Sequence, residues 1–259
     1  MKTKIKSTRS RLILAAAIAA APFLAAGSAA AQASPTSVNA LRNYNPYYYV
    51  GRLTYKDGTI PRQGSGTVIK PYSILTAAHC LWSRGNGWRT NFVFQRAYSN
   101  GTWASSSTAR QPFILGGYTT AVINSGANNT AAAFSRDTGG IIFFSRPMNG
   151  GYAGWWQNPA LLTGPSYNMC LGYGSEWHNG QEMLRSAPSS AFIGQTASWY
   201  TNTSCAIEAG MSGGPVFAQY NNLWYVCAVN VSGTASRTSG GGVRAIDADT
   251  SVLIKNYLQ

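Results

Sequence analysis

The chain has 259 residues, a formal net charge of +13, 45% hydrophobic residues and only seven acidic ones. Beyond the first eleven residues, the fifteen Lys and Arg are scattered without a dense run, which favours a solvated basic surface over a nucleic-acid site. Two histidines and four cysteines, spaced unlike any zinc motif, give no reason to expect a metal or another cofactor.

In chain order, Lys2, Lys4, Lys6, Arg9 and Arg11 precede an apolar run from Leu12 to about Ala26, followed by small residues. This is the pattern of a signal peptide over 1–33, with Ala-x-Ala cleavage options after Ala31 or Ala33. The run is too short and wrongly flanked for a stable transmembrane span. No cysteine lies near it for a lipid anchor, and no second long apolar stretch follows. A secreted, soluble chain free of the membrane after cleavage is therefore expected (extracellular, or periplasmic in a host with an outer membrane). Losing the five basic leader residues takes the charge from +13 to +8. Residues 34–47 read as an N-terminal arm or a short propeptide.

The remaining 226 or so residues suffice for one large domain or two fused small ones. Short apolar runs separated by turns predict an all-β fold: Tyr48 to Leu53, Gly66 to Ile69, Ile74 to Ala77, Ile141 to Phe144 and Tyr225 to Val231. Asn86-Gly87, Asn100-Gly101, Asn149-Gly150 and Asn179-Gly180 are turn signals. Only the end reads as helical, with Asp249 as the cap and Val252, Leu253, Ile254, Tyr257 and Leu258 as its apolar positions. Tyr47-Tyr48-Tyr49 and Trp155-Trp156 read first as core aromatics and second as stacking platforms.

Two motifs carry chemistry. In Glu208-Ala209-Gly210-Met211-Ser212-Gly213-Gly214-Pro215, a serine sits in a glycine-rich turn that can present its hydroxyl and leave backbone N–H groups bare for a developing oxyanion. In Thr76-Ala77-Ala78-His79-Cys80, a histidine ends an apolar run. Gly210-x-Ser212-x-Gly214 also fits the nucleophile elbow of α/β-hydrolases, but that fold needs its histidine after the serine, and both His79 and His178 precede Ser212. Asp137 is the only aspartate between His79 and Ser212; it opens the run Ile141 to Phe144, either as the partner that orients His79 or as an ordinary turn residue. His178, beside Asn179-Gly180, reads as an exposed turn histidine.

The segments around His79, Asp137 and Ser212 together resemble the chymotrypsin-like (trypsin-like) serine peptidases, and within them the bacterial secreted branch that includes glutamyl endopeptidases. Gly64-Ser65-Gly66-Thr67-Val68-Ile69 and Leu171-Gly172-Tyr173-Gly174 support the resemblance, which runs from about Tyr49 to the C-terminus. It implies two six-stranded antiparallel β-barrels with a short C-terminal helix, the first over 48–150 and the second over 151–259, meeting near Met148 to Gly154. It also implies His79, Asp137 and Ser212 as a catalytic triad, with the N–H groups of Gly210 and Ser212 as the oxyanion hole. A polypeptide substrate, no nucleic-acid partner and a monomeric state go with that reading.

Several positions depart from the family. Met211 stands where animal trypsin-like enzymes carry the aspartate that pairs with a newly cut amino terminus, so activation by that insertion is not expected. Ala206, six residues before Ser212, replaces the aspartate of tryptic enzymes, and Asn230 replaces the histidine of glutamyl endopeptidases. An uncharged pocket lined by Ala206, Ile207, Asn230 and Val243 is expected instead. Glu208 either reaches a basic substrate side chain or is a solvent-facing loop acid. Cys80, Cys170, Cys205 and Cys227 allow three complete pairings; Cys205 with Cys227 would brace the pocket, and Cys80, without the upstream partner found in many relatives, is left as a candidate free thiol. A catalytically silent binding homologue and an esterase using the same triad are the alternatives to a serine endopeptidase.

Overall fold

The computed structural model describes residues 34–145, 151–176, 178–233 and 240–259. The leader over 1–33, the Asn149-Gly150 turn and residues 148–150 of the expected boundary lie outside the described residues. After a two-residue strand β1 (Thr36–Ser37), the first half contains β2 (Val50–Asp57), β3 (Ile60–Lys70), β4 (Ser73–Thr76), a small hairpin of β5 (Trp82–Ser83) and β6 (Gly87–Trp88), β7 (Thr90–Arg96) and β8 (Ser105–Ile114). Helices α1 (Tyr118–Ser125) and α2 (Ala131–Phe134) then lead into β9 (Gly139–Phe143). Strands β2, β3, β4, β9, β8 and β7 close, in that order, into a six-stranded barrel. From Arg52 onward in β2 the cause is visible residue by residue: Leu53 and Tyr55 are buried, while Arg52 and Thr54 are half-buried and Lys56 is exposed. Alternating side chains of a strand face opposite sides, so one side fills the barrel and the other meets water.

The second half contains α3 (Ala160–Thr163), β10 (Asn168–Gly172), β11 (Leu184–Ser186), β12 (Ile193–Thr196), β13 (Trp199–Asn202), β14 (Pro215–Tyr220), β15 (Leu223–Ser232), β16 (Gly241–Ala245) and α4 (Ala248–Asn256). All-β architecture is as expected, but this half is an eight-stranded sheet, ordered β1-β11-β10-β14-β15-β16-β13-β12, where six strands were expected. The additional pairing at one end comes from the arm: Thr36 and Ser37 pair with Arg185 and Leu184. Val38 is buried beside them, and its N–H donates to Met183 O at 2.9 Å. The β14–β15 connection is a two-residue hairpin turn, in which Asn221 and Asn222 both adopt positive φ (49° and 62°), as a type I′ turn demands.

The C-terminal helix is present with a different cap. Asp247, not Asp249, accepts from the Thr250 N–H at 2.9 Å, and Asp249 in the first turn instead meets Arg136. Of the predicted apolar positions, Leu253, Ile254 and Leu258 are buried, whereas Val252 and Tyr257 remain about half exposed. Leu258 lies so close to Gly140 in β9 that an added Cβ there would stand 2.8 Å from its methyl carbons. The end of the second half is thus clamped onto the first barrel. A single apolar cluster, including Leu53, Phe94, Leu171, Phe217 and Val229, spans both halves.

Candidate active site

His79 lies in a single 3-10 turn, Ala78–Cys80, at the end of β4. Strand β4 pairs with β9 such that Thr76 opposes Gly139. Asp137, two residues before Gly139, is thereby carried alongside His79. Its fully buried carboxylate grips that residue twice: Oδ2 lies 2.6 Å from the ring Nδ1, and Oδ1 accepts from the His79 backbone N–H at 2.8 Å. An ionised carboxylate is acceptor-only, so Nδ1 carries the proton and Nε2 is the basic nitrogen of the neutral ring. Burial is the largest single influence and acts to lower the pKa of His79, but the charge and hydrogen bond of Asp137, together with the neighbouring Cys80, outweigh it and hold the imidazole well above its ordinary 6.5.

Ser212 follows a tight turn over Glu208–Met211. The Met211 N–H donates to Glu208 O at 3.0 Å and Gly210 has φ of +90°, the signature of a type II turn with glycine at its third position. The orientation of the central peptide is pinned from one side, because Ala209 O accepts from the Ser175 N–H at 2.7 Å and from Ser175 Oγ at 3.1 Å. Carbonyl and N–H of a trans peptide point in opposite directions, so the Gly210 N–H faces away from Ser175. Gly213 (φ +85°) admits no side chain: a Cβ there would lie 2.1 Å from Thr76 Oγ1 and 2.3 Å from Ser65 O. The first barrel is that close to the serine turn.

Ser65, on β3, joins the two halves. It is fully buried; its N–H donates to Ser212 O at 2.7 Å and its Oγ donates to Gly210 O at 2.8 Å. The same Oγ accepts from the Tyr173 N–H at 2.8 Å. Ser212 O also lies 3.7 Å from the sulfur of Cys80, the residue after His79. The motifs read as histidine, aspartate and serine segments therefore converge on one place. In the sequence Ser65 stands out only as part of a resembling segment, and no local signal marks its role.

The segment 174–180 adds a second hold on the turn. Glu208, expected to face solvent or substrate, is fully buried, and its Oε2 lies 3.0 Å from His178 Nδ1. His178 is therefore not simply an exposed turn residue; its side chain is only 32% exposed. Asn179 and Gly180 form the expected turn with φ of 54° and 64°.

A family model for the trypsin-like peptidase domain matches residues 64–224, more than half of the chain. The chain belongs to the trypsin-like peptidase family. Among solved structures it is similar to the protease Anisep from Arthrobacter nicotinovorans, with 22% identity over 80% of this chain and 94% of that one and a TM-score of 0.65. It is also similar to a Glu endopeptidase in complex with MPD, with 19% identity, coverage of 85% and 94%, and a TM-score of 0.69. A thermostable serine protease, AL20, from an extremophilic microorganism is 17% identical, with coverage of 81% and 98% and a TM-score of 0.65. No curated protein matches the chain.

Within this trypsin-like frame, the four residues expected to line a substrate pocket are all buried: Ala206 at 3% exposure, Ile207 at 1%, and Asn230 and Val243 at 0%. Asn230 has a structural employment, since its Nδ2 donates to Leu171 O at 2.9 Å and to Met211 O at 3.4 Å. Its main chain exchanges bonds with Gly213 and Gly214 at 2.8 and 2.9 Å, so β15 supports the serine turn from below. The Cys205–Cys227 pairing is corrected: the sulfur beside Cys205 is that of Cys170, 3.0 Å away, while Cys227 donates to Val216 O at 3.4 Å. Cys170 on β10 approaches the segment before the serine turn, whereas Cys227 on β15 points to its β14 neighbour. Among the described residues no group of three or more His, Cys, Asp and Glu is placed to hold a metal ion, and no helix is long and apolar enough to cross a membrane.

Proposed function

We propose that the protein is a secreted serine endopeptidase that works through Ser212, His79 and Asp137. The observation that carries this reading is the double grip of buried Asp137 on the ring and backbone of His79. It holds the imidazole in the tautomer whose Nε2 can take a proton. In the proposed reaction, Ser212 Oγ attacks the scissile carbonyl carbon as His79 Nε2 takes the hydroxyl proton. The N–H groups of Gly210 and Ser212 hold the oxyanion. Collapse of the tetrahedral intermediate breaks the C–N bond, and His79 returns the proton to the departing amine. Water then hydrolyses the acyl-enzyme by the same sequence in reverse, with His79 again as base.

Residues 1–33 are proposed to leave on export. Residues 34–47 stay as an arm, because their removal would strip β1 from β11 and uncover the site of Val38. In an oxidising compartment, Cys170 and Cys205 close a disulfide by exchange with an oxidised dithiol, which is reduced in the process. The substrate is a polypeptide, the working form a monomer, and neither nucleic acid nor a membrane takes part. The test is intact mass after treatment with a fluorophosphonate. One adduct on the purified protein and none on Ser212→Ala is the expected result. A folded protein that takes no adduct would refute the assignment.

A further inference from the structure

The structure holds a pocket of about 650 Å³ that begins at Ala209 and Gly210, on the face of the turn adjoining the β2–β3 hairpin. Tyr55, Lys56, Arg62 and Gln63 of the hairpin line it together with Ser175. The floor is braced between the halves by Gln63, whose Nε2 donates to Tyr173 O at 3.1 Å. The volume falls in the range of ligand-binding clefts.

Two features decide what it takes. The first is charge. Lys56 and Arg62 are exposed, and neither is in an ion pair among the described residues. The other nearby cation, Arg89, is already committed to Asp57 at 3.1 Å and to the Tyr55 hydroxyl at 2.9 Å. Asp57 likewise accepts from Ser83 and Asn86, which leaves exposed Glu176, after Ser175, as the acidic counterweight in the adjoining chain. The second is position. Gly64 separates the Tyr55 ring from the Cys80 sulfur, with a built Cβ 3.7 Å from the former and 2.8 Å from the latter. The hairpin wall is thus continuous with the residue that follows His79. In the serine-peptidase reading His79 delivers a proton to the leaving amine, which makes this wall the candidate side for that part of the substrate.

Resting on the serine-peptidase reading, we propose that this pocket receives the leaving-group side of the substrate and favours Asp or Glu side chains in the first two residues after the cleaved bond. Arg62, which opposes Tyr55 across the ladder, sets the preference, and Lys56, which opposes Pro61 and so belongs to the other face of the hairpin, adds a more distant charge. Both charges are solvent-exposed, so each contributes weakly and together they favour an acidic peptide about fivefold over a neutral one.

The experiment uses quenched-fluorescence peptides with one acyl-side sequence, taken from cleavage of a denatured protein, and Asp, Asn or Lys at the two positions after the bond. Rates are expressed per active centre by fluorophosphonate titration. The expected order of kcat/KM is Asp above Asn above Lys, with the Asp advantage shrinking at high salt because exposed charges are screened. Arg62→Glu should reverse the order, and Glu176→Gln should widen it. Equal rates for the three peptides, or an Asp preference that survives Arg62→Glu, would overturn the proposal. Failure of the underlying reading would look different: no adduct at Ser212 and no cleavage of any peptide.

Discussion

The pair between His178 and Glu208 makes a quantitative prediction, because it holds the turn that presents Gly210 without belonging to the proposed triad. Glu208 is fully buried and lies directly against Gly174, where a built Cβ would overlap its carboxyl group. It has no room to swing out to water. His178→Ala therefore leaves a buried carboxylate with one partner fewer. Breaking a fully buried pair costs about 3–5 kcal/mol. His178 is 32% exposed, so water can enter its vacated place, which brings the expected cost down to about 2 kcal/mol. For a chain of this size that is a fall in Tm of about 4–8 °C. The effect on catalysis follows from the turn. Ser175 still holds Ala209 O and Ser65 still holds Gly210 O, so the proposed oxyanion donor is loosened, not lost. Complete loss of a donor costs about 100- to 1,000-fold, and a loosened one is expected to cost about tenfold in kcat with KM within about twofold. The assay is steady-state kinetics per titrated active centre, at a temperature where calorimetry shows the variant folded. Wild-type kcat under those conditions would refute the coupling between this pair and the oxyanion turn, and an unchanged Tm would refute the burial argument.

Other expectations follow from the same geometry. With the His79 pKa raised by Asp137, the acid limb of kcat/KM should lie above the ordinary histidine value of 6.5, since activity needs the neutral ring. The same shift adds stability that is full below pH 6.5 and is lost as pH rises through the folded-state pKa, a slope that thermal scans across pH would show. Asp137→Asn removes the largest upward cause of the shift, so the limb should move to lower pH while kcat falls about 10⁴-fold; a limb that stays put would dissociate Asp137 from the titration. Gly213→Ala places a methyl group 2.1 Å from Thr76 Oγ1 at a φ of +85°, and soluble, active protein from this variant would contradict the docking of serine turn and first barrel. Closing Cys170 to Cys205, 35 residues apart, should add about 4 kcal/mol by restricting the unfolded chain. Dithiothreitol should then lower Tm of the exported protein and leave Cys170→Ala unaffected, and peptide mapping that finds Cys205 bridged to Cys227 would refute the pairing.

The order of histidine, aspartate and serine segments, the turn glycines around Ser212 and the apolar strands of the first barrel are local properties of the chain. They were legible because each rests on neighbours a few residues away: side-chain alternation in β2, the backbone freedom of Gly210 and Gly213, the apolar positions Leu253, Ile254 and Leu258 of α4. Strand β8 was missed for the complementary reason. Its Ser, Thr, Arg and Gln residues form no apolar run, and only hydrogen bonding to β7 and β9 on either side makes it a strand. Helix α1 escaped too, since its buried Tyr118 and Val122 show purpose only against Ala78 and Ala133. Membership of β1 in the second half depends on β11, almost 150 residues further on. The hold on the serine turn was the least visible of all. Ser65 reaches Gly210 across 145 residues and Glu208 meets His178 across 30, and a serine or a glutamate carries no local mark of such a contact. Local sequence specified which groups could react and how each segment could bend. Tertiary packing alone decided that Asp137 would bury itself against His79 within the first half, and that within the second Glu208 would turn inward and Cys170 rather than Cys227 would lie beside Cys205. Those outcomes depend on distances between segments remote in the chain, which exist only once the common core has closed.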